Sequence, residues 1–520
     1  MPDSGSHSSS VASPDRFLLG IVASCGLLAA LVRIPTVLAA RHLSFDDGVY
    51  GASTLAMRAG GVPYRSVFSS QGPAFLPLVW CFDLITGRTA ASPRTLAVVS
   101  GICATVCAAM IATYFVPRTA RRWCAAIAGL LTALSGALWW TTGPITSDGP
   151  TVALSCAAIW IACSIRTRAS WARAVSCGVL LGAAIAIKLV LAGPAVVVCV
   201  LLIATSPNRR LVLKLLLPAA AIPVVASVAF GVARVWEQVV TYHLESEIGS
   251  RNPLVHLGKL ASTLVDRDPT LVVLAVVALI AAIVNALRHR RAPISSDAPA
   301  PDSRLARLLT SLGSGATPLV LWLISTVAVL AVQQPLWRNH VAYVVAPLAT
   351  LVAITLAQPR AFAIATLAVI VVALPVQAYR TRALWNPSAY SGTEGQIETV
   401  LRALPPDRLA ISDDPGLVWR AGTHGNNLRT PDNFVDTSVL RITSPVPSIA
   451  ISTPTVLAAT SDARVCAVIQ TSAERFGALP DLGSALMARS WNLTLNDGSY
   501  RMWTNPTASC QSATSAPRPQ

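Results

Sequence analysis

The chain has 520 residues, 53% hydrophobic and only 12% charged, with a formal charge of +16 and a mean hydropathy of +0.58. Soluble domains carry roughly 25% charged residues, so this composition excludes a soluble globular protein and describes an integral membrane protein. A nucleic-acid partner is not indicated: the basic residues stand in short clusters between apolar runs, the pattern of cytoplasmic loops.

In chain order, residues 1–16 are polar and Ser-rich and read as a disordered cytoplasmic N-terminus. The run Phe17–Ala40 is too long for a signal-peptide core and reads as a retained anchor. Runs of about twenty apolar residues predict further spans at Thr95–Val116, Trp123–Trp140, Thr151–Ile165, Ala174–Val190 and Leu191–Thr205. Leu211–Val232, Thr270–Leu287, Pro318–Val332, Val341–Ala357 and Ala361–Tyr379 complete a set of about eleven.

The run Pro73–Ile85 is too short for a typical span. Laid along the membrane surface, it leaves Arg118/Arg121/Arg122, Arg166/Arg168/Arg173, Arg209/Arg210, Arg288/Arg290/Arg291 and Arg360 all on the cytoplasmic side. The N-terminus is then inside. The loops around Asp46–Asp47 and Asp148, and the C-terminus, are outside.

Between spans, 233–269 reads as an outer loop and 288–314 as a Pro- and Ser-rich cytoplasmic linker. From Arg380 the composition shifts. Strand-like runs at Leu409–Ser412, Val465–Thr471 and Tyr500–Thr504 alternate with helical patterns at Gly395–Ala403 and Ala473–Arg489. Residues 381–505 therefore read as a small extracytoplasmic α/β domain, with 506–520 a frayed tail. Cys466 and Cys510 lie in this part; outside the membrane they are free to pair, and two unrelated thiols are an equal alternative. The other cysteines read as small core residues, with no CxxC spacing among the eleven.

The stretch Arg41–Leu78 (RHLSFDDGVYGASTLAMRAGGVPYRSVFSSQGPAFLPL) follows the first span directly and carries Asp46 and Asp47. A short helix-like run, Val49–Ala59, comes next. Carboxylates where a chain leaves the bilayer are costly unless they have a task; the alternative is solvated loop acids, one of which caps the next helix. Asp148, Arg338-Asn339-His340 and, near the outer end of its helix, Lys188 reach the same face. Carboxylates and cations converging there suit transfer from a lipid-linked anion to a hydroxyl or amine. Asp148 also fits a helix cap, Lys188 a snorkelling side chain, and Arg338 an interfacial anchor.

FDDGVYGASTLAMRAGGVPY, the surface helix opening at Gly72–Pro73 and SDGPTVAL together resemble the GT-C membrane glycosyltransferases. Within them the pattern is most similar to the protein mannosyltransferase and aminoarabinose transferase branch. GVLLGAAIAIKLVLAGP and RNHVAYVVAPLA resemble that branch's Gly-rich helix ending in Lys and its late aromatic–proline span. The resemblance covers residues 17–380. It implies a mainly α, polytopic GT-C-like fold with a first outer loop at 41–94, and a catalytic carboxylate at Asp46. Asp47 stands where Glu is frequent, and Asp148 maps to the second outer-loop acid. The branch's lysine before the surface helix is missing: the segment reads SSQGP, with Gln71.

The catalytic candidates are thus Asp46, Asp47 and Asp148; the substrate-binding candidates are Tyr50, Gln71, Lys188, Arg338 and His340. The function expected is transfer of a sugar from a polyprenyl-phosphate donor to an envelope glycan, glycolipid or protein, on the outer face of the cell membrane. No cofactor is assigned; a divalent cation held by two or three Asp with waters stays open. A transporter or flippase predicts internal repeats and mid-membrane breaks that the sequence does not display clearly. A non-catalytic assembly protein is the third class.

Overall fold

In a computed structural model the described residues are 15–39, 42–245 except 168 and 207, 252–289, 315–357, the positions 371–372, 375–376 and 379, and 392–510 except 424–425, 438–450, 472–478, 480 and 508–509. The expected span Ala361–Tyr379 lies largely outside them, as does most of the 288–314 linker.

Helix α1 (Arg16–Leu38) begins at Asp15, whose carboxylate accepts the amide protons of Phe17 and Leu18. Its outward face carries Phe17, Leu19, Leu27, Leu31 and Leu38, all exposed, as a helix bathed in hydrocarbon requires. Helices α4 (Thr95–Thr113), α7 (Asp148–Thr167) and α10 (Leu211–Phe230) are similarly long and apolar. Among the described residues four helices are long and apolar enough to cross a membrane, or six if each of two bent pairs is one span. Shorter apolar helices α8 (Trp171–Ile187), α9 (Gly193–Ala204) and α13 (Thr317–Val332), with α14 (Ala342–Thr355), pack around them in one core.

The two bent pairs share one device. Helices α5 (Arg121–Ala133) and α6 (Gly136–Thr142) meet at 59°; α11 (Pro253–Arg267) and α12 (Pro269–His289) meet at 109°. A break exposes backbone donors that hydrocarbon cannot satisfy. Buried Asp268, at the second break, accepts from Ser135 Oγ at 2.6 Å and from the amides of Gly136 and Ala137 at 2.7 and 3.0 Å at the first. One carboxylate thus supports both bends.

Two helices lie between the first two long spans. Helix α2 (Phe45–Arg58) starts about one turn before the Val49–Ala59 pattern, because Ser44 caps it: its hydroxyl accepts from the amide of Asp47. The cap is therefore Ser44, not either acid. Helix α3 (Phe75–Ile85) has 11 residues, about 16 Å of rise against a hydrocarbon core of about 30 Å, too short to cross. Arg58 at the end of α2 pairs with buried Asp83 of α3 at 2.5 Å and fixes one helix against the other.

Residues 393–510 build a four-stranded sheet in the order β1-β2-β4-β3, with β1 (Leu409–Ser412) parallel to β2 (Val465–Thr471) and the other pairs antiparallel. The strand expectations at 409–412, 465–471 and 500–504 coincide with β1, β2 and β4. β3 (Asn492–Asn496) is an added edge strand, whose NLTLN pattern and exposure give little hydrophobic signal. Helices α15 (Thr393–Arg402), α16 (Pro415–Gly422), α17 (Thr453–Ala459) and α18 (Leu482–Ala488) accompany the sheet. Cys466 and Cys510 form a disulfide, which resolves the two sequence alternatives.

Helix α16 packs directly on α2. A Cβ on Gly48 would stand 2.6 Å from the amide nitrogen of Gly416, and one on Gly51 only 2.1 Å from the Trp419 ring. Glycine is needed at both positions for this approach.

Candidate active site

The adjacent acids Asp46 and Asp47 sit one helical residue apart, about 100° around the axis, and so point to different surroundings. Asp47 is fully buried. Its carboxylate accepts from Arg94 Nη2 at 2.6 Å, from Arg94 Nε, and from the amides of Leu43 and Ile145 at 2.9 Å each. Arg94 in turn donates to the carbonyls of Thr36 and Ala39 at the end of α1, and its guanidinium lies over the Trp419 ring at 4.9 Å. Asp47 thus ties together α1, α2, the start of α4, the 145 loop and α16. Asp46 is half-buried and lines a cavity of about 340 Å³ at this end of the helical body.

The far wall of the cavity is a cluster of helix ends. Lys188 follows the last residue of α8, and its Nζ donates to Asp148 Oδ1 at 2.6 Å and to His340 Nε2 at 3.2 Å. Because an ammonium only donates, His340 Nε2 faces Lys188 as an acceptor, while Nδ1 lies 3.4 Å from the Trp337 amide nitrogen. Burial, with Lys188 beside it, lowers the His340 pKa to about 3, so this histidine is neutral at working pH. Asp148 is the first residue of α7, where the helix dipole favours a negative charge. Arg338 also lines the cavity and pairs with Asp266; both are largely exposed.

Gln71 joins the walls. Its Oε1 accepts from Ser147 Oγ at 2.7 Å, its Nε2 donates to Ser70 Oγ, and its carbonyl accepts from the Tyr64 hydroxyl. Tyr50 lies edge-on to Phe75 at 4.7 Å and also lines the cavity. Burial raises the Tyr50 pKa well above its ordinary value, and the charges of Asp46, Asp436 and Asp148 raise it further. Its hydroxyl stays protonated and can donate.

Helical segment 232–245 closes one side. Gln238 accepts from the Ser69 amide and donates to the Tyr64 carbonyl. That contact brings Tyr242 and His243 to the cavity, with Tyr242 stacked edge-on to Phe68. His243 Nδ1 donates to the Val239 carbonyl at 2.6 Å, and burial followed by nearby Lys188 lowers its pKa.

A second, larger cavity of about 550 Å³ adjoins the first; Ser70, Gln71, Lys188 and His243 line both. Most of its remaining wall is apolar, and Leu189, Val190, Leu244 and Val332 on it are half or more exposed. Lys188 stands at the junction of a polar chamber and an apolar groove.

Of the eight residues singled out from sequence, seven line the smaller cavity: Asp46, Tyr50, Gln71, Asp148, Lys188, Arg338 and His340. Asp47 faces Arg94 instead. Sequence reasoning passed over Arg94 and Asp436. For Arg94 a signal existed, since an arginine on the side that is poor in basic residues needs a task. Asp436, in the loop-like NFVDTS, carries none. Among the described residues no three His, Cys, Asp or Glu are grouped so as to hold a metal ion.

The chain shares its overall fold with solved membrane-protein structures. The chain is similar to ArnT from Cupriavidus metallidurans bound to undecaprenyl phosphate, at 14% identity and a TM-score of 0.57, over 95% of this chain and 99% of that one. It is also similar to the oligosaccharyltransferase AglB from Archaeoglobus fulgidus, at 12% identity and a TM-score of 0.49, over 94% of this chain and 74% of that one. No protein-family model and no curated protein sequence matches the chain.

Proposed function

We propose that this protein is a glycosyltransferase that moves a sugar from a polyprenyl-phosphate donor to an envelope acceptor on the outer face of the cell membrane. The observation that carries the reading is Lys188 at the junction of the two cavities. A donor phosphate beside Lys188 puts its prenyl chain in the apolar groove, open toward lipid, and its sugar in the polar chamber with Asp46.

In that pose the acceptor oxygen or nitrogen attacks the anomeric carbon from the Asp46 side. The bond from that carbon to the phosphate oxygen breaks with inversion. Asp46 takes the acceptor proton, as a weak nucleophile needs during attack. The polyprenyl phosphate leaves as an anion, met by Lys188, with Gln71, Tyr50 and neutral His340 as hydrogen-bond partners and Arg338 at the rim. Asp148 holds Lys188 in place. Asp47, turned to Arg94, holds α2 and hence Asp46.

The orientation rests on charge. Arg122 pairs with Asp15 and lies over Phe17, so the starts of α1 and α5 meet at one end of the body, away from the cavity. The positive-inside rule assigns that basic end to the cytoplasm, and supports about eleven spans with residues 393–510 outside.

Removal of the protein should make a polyprenyl-phosphate sugar accumulate in the membrane. Wild-type protein should clear it and Asp46→Asn should not. No accumulated lipid-linked sugar, or full clearance by the variant, would count against the reading.

A further inference from the structure

Asp436 belongs to the sheet-bearing C-terminal part, yet it lines the chamber together with Asp46 and Tyr50. Its residue is only 4% exposed. Its neighbours fix it from both sides. Phe434 is buried in the cluster beneath the sheet, and Val435 in the cluster formed by Val49, Tyr50 and Trp419. Thr437 donates to the carbonyl of Asp413 at 2.8 Å, and Asp413 itself accepts from the amide and hydroxyl of Thr471 on β2. A loop residue so anchored holds its carboxylate at a set place.

The charges of the chamber are unequal. Among the described residues three carboxylates (Asp46, Asp148, Asp436) line it with two basic side chains, Lys188 and Arg338. Arg338 also shares its charge with Asp266, and His340 is neutral. The Lys188 side carries the cations; the side of α2 and residue 436 is acidic. Tyr50 feels Asp46 and Asp436, and Asp148 as well. A phosphorylated group brought to that acidic side meets like charge at low dielectric, whereas hydroxyl or ammonium donors find acceptors.

We infer that Asp436 is a specificity-determining residue of the acceptor end, selecting a neutral or cationic hydroxyl- or amine-bearing group against a phosphorylated one. This rests on the proposed transfer reaction, in which the acceptor loses its proton to Asp46 while the sugar–phosphate bond breaks.

The test uses full-length protein in nanodiscs and the lipid-linked sugar isolated from cells lacking it. Two acceptors are compared, an octyl hexoside and the same hexoside bearing a 6-phosphate, together with donor hydrolysis by water and binding of undecaprenyl phosphate. Wild-type protein should prefer the neutral hexoside. Asp436→Asn should shift that preference toward the phosphorylated one by roughly tenfold or more, Asp436→Glu should restore it, and undecaprenyl phosphate binding should stay within about twofold. A general folding defect would depress both acceptors together and weaken lipid binding, leaving their ratio unmoved. An unchanged ratio in Asp436→Asn, a wild-type preference for the phosphorylated hexoside, or donor hydrolysis with neither hexoside used would overturn the assignment. Absence of any Asp46-dependent donor turnover, water included, would instead overturn the transfer reaction itself.

Discussion

The two ends of the chamber are built from different material. The cationic end comes wholly from helix termini of the membrane body: the end of α8, the start of α7, and the turn before α14. The acidic end is shared between α2 and a segment of the C-terminal part that reaches over it. The first is a scaffold centred on the Lys188–Asp148 contact; the second is an interface. On the proposed function, the leaving group meets the scaffold and the acceptor meets the interface. Acceptor choice can therefore change through residues 432–437 without rebuilding the end that holds phosphate.

The sharpest way to break this comparison uses the adjacent acids. Asp46→Asn keeps the shape of α2 but cannot take a proton, so transfer should fall about 10²–10⁴-fold with thermal unfolding unchanged. A rate within threefold of wild type would remove Asp46 from the chemistry. Asp47→Asn should do the reverse. It leaves buried Arg94 without its carboxylate, which costs about 3–5 kcal/mol, seen as a lower melting temperature and poor yield. Arg94→Leu should match it. Unaltered unfolding in both would mean that the Asp47–Arg94 pair does not hold the helix.

Lys188→Met alone leaves Asp148 buried without its ammonium, so the informative variant is Lys188→Met with Asp148→Asn. The pair should remain folded while transfer drops about 10²-fold and undecaprenyl phosphate binding weakens. Unchanged binding would move the phosphate elsewhere.

The smallest effect concerns the interface. His42 Nε2 lies 3.0 Å from Asp414 Oδ2, at the start of α16. Burial acts to lower the His42 pKa, but the Asp414 carboxylate outweighs it and the net shift is upward from 6.5. A raised folded-state value stabilises fully below 6.5, and the gain fades as pH rises through the folded value. The melting temperature of wild type relative to His42→Gln should therefore be highest below pH 6.5 and converge at alkaline pH. A difference that grows with pH would contradict this pairing.

Much of the scaffold end was legible in the sequence, and little of the interface. Asp46, Asp148 and Lys188 stand out because polar groups at the edge of apolar runs are rare, and short-range order fixes them at helix ends. Contacts between distant segments leave no such mark. Asp436 and Trp419 matter only because α16 lies on α2, and that packing depends on Gly48 and Gly51, residues that read as ordinary small positions. Asp47 was legible as an acid but not as the partner of Arg94, since spacing does not report which way a side chain turns.

The packing of α16 on α2 has a consequence for biosynthesis. Helix α2 emerges early, directly after the first apolar helix, while Trp419 and residues 432–437 are among the last parts made. Until they arrive, the Gly48–Gly51 face of α2 and the ring contact of Arg94 have no cover. The chamber is therefore finished only when the C-terminal part has folded onto α2. A chain released before that point has one end of its chamber unbuilt.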